Sequence, residues 1–349
     1  MTTEESLEQL LDLGLPPKLN QVSECPLDED DFVAFRSQGD QCLHIAEKLQ
    51  IESITIAQWP VAALLFAYEH SNAPYVSTQA RKISLKLLST LKVLKDVVER
   101  VFEFLKPRLT RESWKFYIGE RYILISVCQR FPLPEAHLPP VLNICDSHLP
   151  QNKLVGARCL VHLSKEFTHD NNRGGRADVV VDALLRLTYA HDDLKIVALA
   201  YEGLELLLLK SGSCHLRRSE IYLHLLRQCA MAFAIEEKIL LGQILIRFVD
   251  GMGQAAGEFA QTTLEVAEFW ADASATRISA MCLLQSALSC GAVSTSWERV
   301  ARILLNSAIR CTQKNHEEVQ AIFLCRQILN KVRTYPESPE EVAVFDLLR

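Results

Sequence analysis

Apolar residues recur along most of this chain at intervals of three and four, the spacing that gathers them on one face of an α-helix. From about Gln79 onward the pattern is almost unbroken. Ile83, Leu87, Leu91, Leu94, Val98, Val101 and Leu105 form one stripe, read as a single long segment, and Trp297, Val300, Ala301, Leu304, Ala308 and Cys311 form another. Strand-like alternation is confined to "ESITIAQW", Glu52 to Trp59, and no Asn-Gly or Asp-Gly turn joins two alternating runs. The pattern predicts an all-α protein.

The spacing of the predicted helices carries more. Helix pairs should start near Glu135, Ala177, Ser219, Gly257 and Ser296, with second helices near Asn152, Asp192, Ile235, Ala275 and His316. Both series advance by about 40 residues, close to the roughly 40 to 47 of HEAT and armadillo units. Start signals agree: Thr295 and Glu298 have capping-box spacing, Asn315 and Glu318 imitate it, and Ser338, Pro339 and Glu341 supply an N-cap, a first-turn proline and a returning carboxylate. Asp192 reads as an N-cap. One such pair cannot bury its own apolar face, so adjacent pairs must stack into a continuous core. The predicted fold is a HEAT/armadillo-like helical-repeat solenoid over residues 41–349, preceded by an acidic, partly irregular segment over residues 1–40. "LKIVALAYEGLELLLL", Leu194 to Leu209, is apolar on nearly every side and belongs in an inner layer. Irregular connections are expected at Phe131 to Pro140 and at "HDNNRGGRAD", His169 to Asp178.

Composition narrows the function. The 349 residues are 49% hydrophobic, enough for a sizeable core. A net charge of −6 and a pI near 6.0 give no electrostatic reason to bind nucleic acid, so protein partners are expected. No apolar run reaches the roughly 18 to 20 uncharged residues of a membrane span, and the start "MTTEESLEQLL" is acidic where a signal peptide would be basic. The expected location is cytoplasmic, with the nucleus as a further compartment. Eleven cysteines, spaced singly from Cys25 to Cys325 without a C-x-x-C pair, fit a reducing compartment in which cysteine is a small buried hydrophobe. Cys229, in line with Tyr222, Leu225, Leu226 and Phe233, is an example.

Candidate chemistry is sparse. "GMGQAAG", Gly251 to Gly257, follows the apolar run "ILIRFV" and matches part of a dinucleotide fingerprint. That fingerprint needs a preceding strand in a parallel sheet, so an inter-repeat turn is the better reading. His191, Asp192 and Asp193 are consecutive and cannot converge on a metal; Cys214, His215 and His224 lack zinc spacing; Cys159 and His162 read as a packed thiol beside a solvated imidazole. No P-loop, H-E-x-x-H or G-x-S-x-G occurs. No catalytic residue, metal or cofactor is expected, and an enzyme is not. Asp28 to Asp31, and Arg81, Lys82, Lys86, Lys92 and Lys95, read as solvated faces, with docking to a charged partner as the alternative.

One stretch combines a proline, charges and aromatics: "LKPRLTRESWKFY", Leu105 to Tyr117. Pro107 should end the arriving helix and push Lys106 away from helical backbone. Thr110 should cap a new helix containing Arg111, Glu112 and Trp114. Tyr117, Ile118 and Tyr122 follow Trp114 at helical spacing, so the ring should pack against the adjoining repeat. In the alternative, Lys106, Arg111 and Lys115 surround a partly exposed aromatic anchor for another subunit. Lys106, Arg111, Trp114 and Lys115 are therefore the candidate partner-binding residues.

The same stretch, with "FAYEHSNAPYVSTQARKISLKLL" upstream and "NKLVGARCLVHL" downstream, resembles the Tel2-interacting protein 2 family. The matching positions are Leu105, Lys106, Pro107, Glu112, Ser113, Trp114 and Lys115, then Asn152, Lys153, Gly156, Cys159 and Leu160. The resemblance runs from about Trp59 to Leu209; the amino terminus looks shorter than in vertebrate members, and the carboxy-terminal third shares only helical periodicity. It implies a non-catalytic subunit of the Triple T cochaperone complex, built on HEAT-like repeats. Its implied partners are Tel2-type and Tel2-interacting protein 1-type subunits, a ninety-kilodalton heat-shock chaperone and, indirectly, the phosphatidylinositol 3-kinase-related kinases whose maturation the complex supports. These include the rapamycin-target and DNA-damage kinases. The rival expectation is another helical-repeat adaptor, a trafficking or transport scaffold.

Overall fold

The computed structural model describes residues 3–20, 27–49, 53–70, 73–131, 138–167, 175–210, 217–292, 297–311 and 316–332. Thr295, Asn315, the Ser338 to Glu341 start signal, Cys25, Cys214 and His215 lie outside them, as do most of the two predicted irregular connections. The fold is all-α and of the HEAT/armadillo-like helical-repeat class. The described residues form sixteen α-helices, and their strand content is one parallel pairing of Ser53–Ile54 with Lys92–Val93. The chain divides into two compact units, residues 1–203 and 204–349.

In the first unit the helices are α1 (Thr3–Gly14), α2 (Val33–Lys48), α3 (Trp59–Tyr68), α4 (Thr78–Thr90), α5 (Lys95–Leu105), α6 (Ile118–Arg130), α7 (Leu138–Cys145), α8 (Pro150–Glu166), α9 (Arg176–Leu187) and most of α10 (Leu194–Glu205). All ten residues of α3 are buried. A helix apolar on every side must be covered on every side, and α1, α2, α4, α5 and α6 do so. Pro60 sits in its first turn, where no amide donor is needed. Neighbours dock on its backbone through polar side chains: Ser84 donates to the Leu65 carbonyl at 2.6 Å and Ser126 to that of Phe66 at 2.7 Å. α6 is buried from Ile118 to Cys128. The innermost helices are thus α3 and α6, whereas α10, predicted for that place, keeps Lys195 and Glu202 exposed and gives way to a π-helical turn at Leu206–Lys210.

In the second unit the helices are α11 (Arg218–Met231), α12 (Ile235–Met252), α13 (Ala260–Ala271), α14 (Ser274–Ser289), α15 (Trp297–Arg310) and α16 (His316–Val332). α14 packs on α12, α13 and α16. Two of its side chains satisfy the last carbonyls of α13: Thr276 donates to Trp270 O at 2.7 Å and Arg277 Nε to Ala271 O at 3.0 Å. From α7 on, first helices start at Leu138, Arg176, Arg218, Ala260 and Trp297, and second helices at Pro150, Leu194, Ile235, Ser274 and His316. These lie within three residues of the predicted starts and keep the repeat of about 40.

Several local expectations are corrected. The stripe from Ile83 to Leu105 is two helices. Ser89 donates to the Lys86 carbonyl at 2.7 Å and Thr90 to that of Leu87 at 3.1 Å, competing with the helical ladder. Leu91 and Leu94 are then extended, and Lys92–Val93 pairs with Ser53–Ile54. The alternation at Glu52 to Trp59 gives only that pair before a 3-10 turn, Ile56–Gln58. The segment 1–40, expected to be partly irregular, does contain regular helix at Thr3–Gly14 and at the start of α2, where Leu7, Leu10 and Leu11 bury one face of α1 against α2 and α3. The cap of α10 is Asp193, whose carboxylate accepts from Lys195 N at 3.0 Å, one residue beyond Asp192. Phe233 leaves the line of Cys229, because α11 ends at Met231, and it is 93% exposed. Cys159 is buried and His162 half-buried.

In "GMGQAAG" Gly251 and Met252 end α12, and Gly253 opens a 3-10 helix, Gly253–Phe259, that leads into α13, so the expected inter-repeat turn is a helical connection. The run before it belongs to α12, and Gly253 has φ +57° and ψ −134°, a backbone state that a side chain disfavours. Among the described residues no three His, Cys, Asp or Glu side chains are grouped to hold a metal ion, and no helix is long and apolar enough to cross a membrane.

Candidate functional site

The corner that links α5 to α6 is built by local bonds. α5 stops at Leu105, and Arg108 and Leu109 amides close on the Leu105 carbonyl at 3.1 and 2.9 Å. Lys106 stays in the right-handed helical region, contrary to the expected effect of Pro107. Thr110 does accept an amide, that of Ser113 at 3.3 Å, but the turn it caps ends at once, because Ser113 Oγ donates back to the Arg108 carbonyl at 2.7 Å. A short 3-10 turn, Trp114–Phe116, follows, and α6 starts at Ile118, eight residues beyond the predicted cap.

This geometry separates the four candidate residues by role. Trp114 is 3% exposed, with the Arg121 guanidinium 5.6 Å and the Lys115 ammonium 6.0 Å from its ring centroid. Its ring is core. Lys106, Arg111 and Lys115 are exposed, and none has a carboxylate in ion-pair distance among the described residues. Arg111, Trp114 and Lys115 line a basin of about 500 Å³ with Pro139 and Asn143 of α7 and with His148. Lys106 and Arg111 line an adjoining hollow of about 280 Å³, again against Pro139 and Asn143. On the other side Trp114, Lys115 and His148 also border a recess of about 20 Å³. The hollows share walls, so the cations follow one continuous depression.

Arg121, on α6, lines that recess. It is 6% exposed, and burial depresses its pKa. The guanidinium donates to Asn152 Oδ1, the Asn152 amide donates to Ser147 Oγ at 3.1 Å, and the Arg121 Nε hydrogen has no acceptor. Its neighbour Glu120 faces Arg108 instead, 3.5 Å from its Nε. Gln151 and Asn152, in the first turn of α8, share the recess, and no side chain caps that helix start. Gly156, one turn on, allows α7 to lie against α8: a Cβ there would stand 2.8 Å from Cys145 N. Asp146 is engaged by Arg186 at 3.4 Å. The depression is therefore cationic, with a buried guanidinium in its recess.

Sequence reasoning missed Arg121, His148 and Arg186. Arg121 left a trace, since "IGERYILISV" carries two adjacent charges in an otherwise apolar helix. A second cavity, about 290 Å³ and bordered by Glu8, Asp12, Trp59 and Arg100, is not cationic: Arg100 pairs with Glu103 at 2.7 Å, and Arg108 with Glu120.

The repeat fold, with a polar depression along it, is that of a helical scaffold, and comparisons with known proteins agree. No family model matches the chain. The chain is 31% identical over 96 residues to TELO2-interacting protein 2 of Mus musculus, covering 26% of this chain and 19% of the mouse protein. Among solved structures, one of Kap95p with RanGDP superposes with a TM-score of 0.59 at 13% identity, over 93% of this chain and 45% of that one. Yeast importin-β (Kap95p) alone gives 0.56 at 13% identity, over 99% and 44%. At identities this low the superpositions establish the shared helical-repeat fold and nothing beyond it.

Proposed function

We propose that this chain is a non-catalytic scaffold subunit of a Triple T-type cochaperone complex, supporting the maturation of phosphatidylinositol 3-kinase-related kinases with a ninety-kilodalton heat-shock chaperone. The observation that carries the reading is the 31% identity to TELO2-interacting protein 2 on a helical-repeat framework. Two further features support it. The corner blocks that resemble the family contain residues with evident structural duties, Trp114 in the core and Gly156 at a helix crossing. The cationic depression lies in the same region and offers the exposed charges of Lys106, Arg111 and Lys115 for protein contact. The importin-β likeness does not favour a transport role, because it extends only to fold.

Affinity purification of the tagged chain from its own cells tests the proposal. A Tel2-type protein and a second Tel2-interacting protein should be retained in near-equal amounts, and depletion of the chain should lower kinase abundance. Recovery of transport receptors or coat proteins in their place would sink it.

A further inference from the structure

The Arg121 guanidinium is almost fully buried, keeps one N–H without an acceptor, and has no carboxylate in ion-pair distance among the described residues. A buried charge in that condition is unfavourable unless a counter-charge reaches it. Two other sources of positive potential converge on the same recess. Lys115 borders it, beside the His148 imidazole. The first turn of α8, a helix of 17 residues, adds the positive end of its dipole, although Pro150 has no N–H and the Asn152 and Lys153 amides close on the Leu149 carbonyl. Asp146, the acid beside them, is already held by Arg186.

We propose that this depression docks an acidic segment of a protein partner, one carboxylate entering the recess at Arg121 while flanking acidic residues pair with Lys115, Arg111 and Lys106. The recess holds about 20 Å³, room for roughly one water-sized atom, so it takes a single anionic oxygen and leaves the rest of the group at its mouth; a carboxylate, the smaller and singly charged group, matches the one guanidinium N–H left open there. A nucleic acid fits poorly, because the aromatic side chain here, Trp114, is buried and offers no face for base stacking. The wider basin beside Arg111 and the hollow beside Lys106 then take the rest of the segment in an extended form. The inference rests on the scaffold reading and names the chemistry of one of its partners.

The test is fluorescence anisotropy of a labelled hexaglutamate peptide on the full chain, with hexalysine and a phosphoserine hexapeptide alongside. Hexaglutamate should bind and hexalysine should not, and binding should weaken steeply between about 50 and about 300 mM NaCl. Arg121→Met should lower the affinity about tenfold or more and leave the chain folded, the loss of the Asn152 bond and of the interaction with Glu120 being offset by removal of a buried charge. If Arg121→Met fails to fold, Arg111→Glu with Lys115→Glu, both exposed, carries the same test and should abolish binding. No hexaglutamate binding, or binding undiminished in these variants, overturns the proposal; tighter binding of the phosphoserine peptide overturns the choice of carboxylate. The two readings fail separately. Absence of a Tel2-type protein from the wild-type purification refutes complex membership and leaves a positive titration standing, whereas a flat titration with retained co-purification refutes the docking site alone.

Discussion

Arg108 Nε stands 3.5 Å from Glu120 Oε1, a carboxylate on a residue only 4% exposed. Burial pushes the Glu120 pKa from its ordinary 4.5 up to about 7, and Arg108 and Arg121 only partly oppose that. Between those values the folded chain holds a proton that the unfolded chain has released. Stability from this group is therefore full below pH 4.5 and lost as pH rises towards 7, by about 3 kcal/mol in all. Glu120→Gln should be more stable than wild type at pH 8 by an amount of that order, and close to it near pH 4. Arg108 is partly solvated and should lose little. Urea midpoints at the two pH values check this, and a Gln variant no more stable at pH 8 would contradict it.

His70 pulls in the opposite direction. Its Nε2 is 2.7 Å from Ser126 Oγ, and burial lowers its pKa from 6.5 to about 4, with neighbouring arginines adding to the effect and Glu69 opposing it. As pH falls below 6.5 the unfolded chain takes up a proton that the folded chain refuses, so stability is lost down to about pH 4. Over pH 4.5 to 6.5 the two groups largely cancel. His70→Gln, which retains a donor near Ser126, should make stability fall with rising pH in that window. Glu120→Gln should make it rise there, and the double variant should be flatter than either. Parallel slopes in the two single variants would refute the assignment.

The repeat was legible in the sequence because helix starts depend on local chemistry and on a stripe that any stacked helix must present. The register of all five later pairs follows from these alone. The breaks were not legible where two stripes happen to continue each other in phase. Leu91 and Leu94 fit the α4 and α5 patterns equally well, and only the pairing of Lys92–Val93 with the distant Ser53–Ile54 shows that the chain is extended there. The site was half visible for the same reason. Lys106, Arg111 and Lys115 are near one another in sequence, whereas Arg121, Asn152 and His148 meet them only through the packing of α6 and α8.

Gly253 tests the glycine turn. With φ +57° and ψ −134° it holds a conformation that L-residues rarely adopt, yet no atom lies within 4 Å of where a Cβ would stand. Gly253→Ala should therefore act through backbone strain alone, at a cost of about 1 to 3 kcal/mol. Gly257→Ala is the complementary case: its Cβ would meet the Ala292 carbonyl at 3.2 Å, a contact the loop must yield to accommodate. Thermal melts give both values, and a neutral Gly253→Ala would show that the turn takes another form.

Trp114 decides what the corner itself contributes. Its ring is 3% exposed, and the exposed charges around it belong to Lys106, Arg111 and Lys115. Trp114→Ala removes a buried aromatic and should cost about 3 to 5 kcal/mol; Trp114→Phe, which keeps part of the ring, should cost clearly less. A Lys106→Glu, Arg111→Glu, Lys115→Glu variant should melt within about 0.5 kcal/mol of wild type, because solvated surface charges contribute little to the fold. Its effect belongs to association: reversing three cations along the depression should repel an acidic partner and slow encounter. Melting curves and partner retention, measured on the same preparations, separate the two roles. If Trp114→Ala keeps its melting temperature while losing its partners, the ring is an interface anchor and its burial is a feature of the free chain alone.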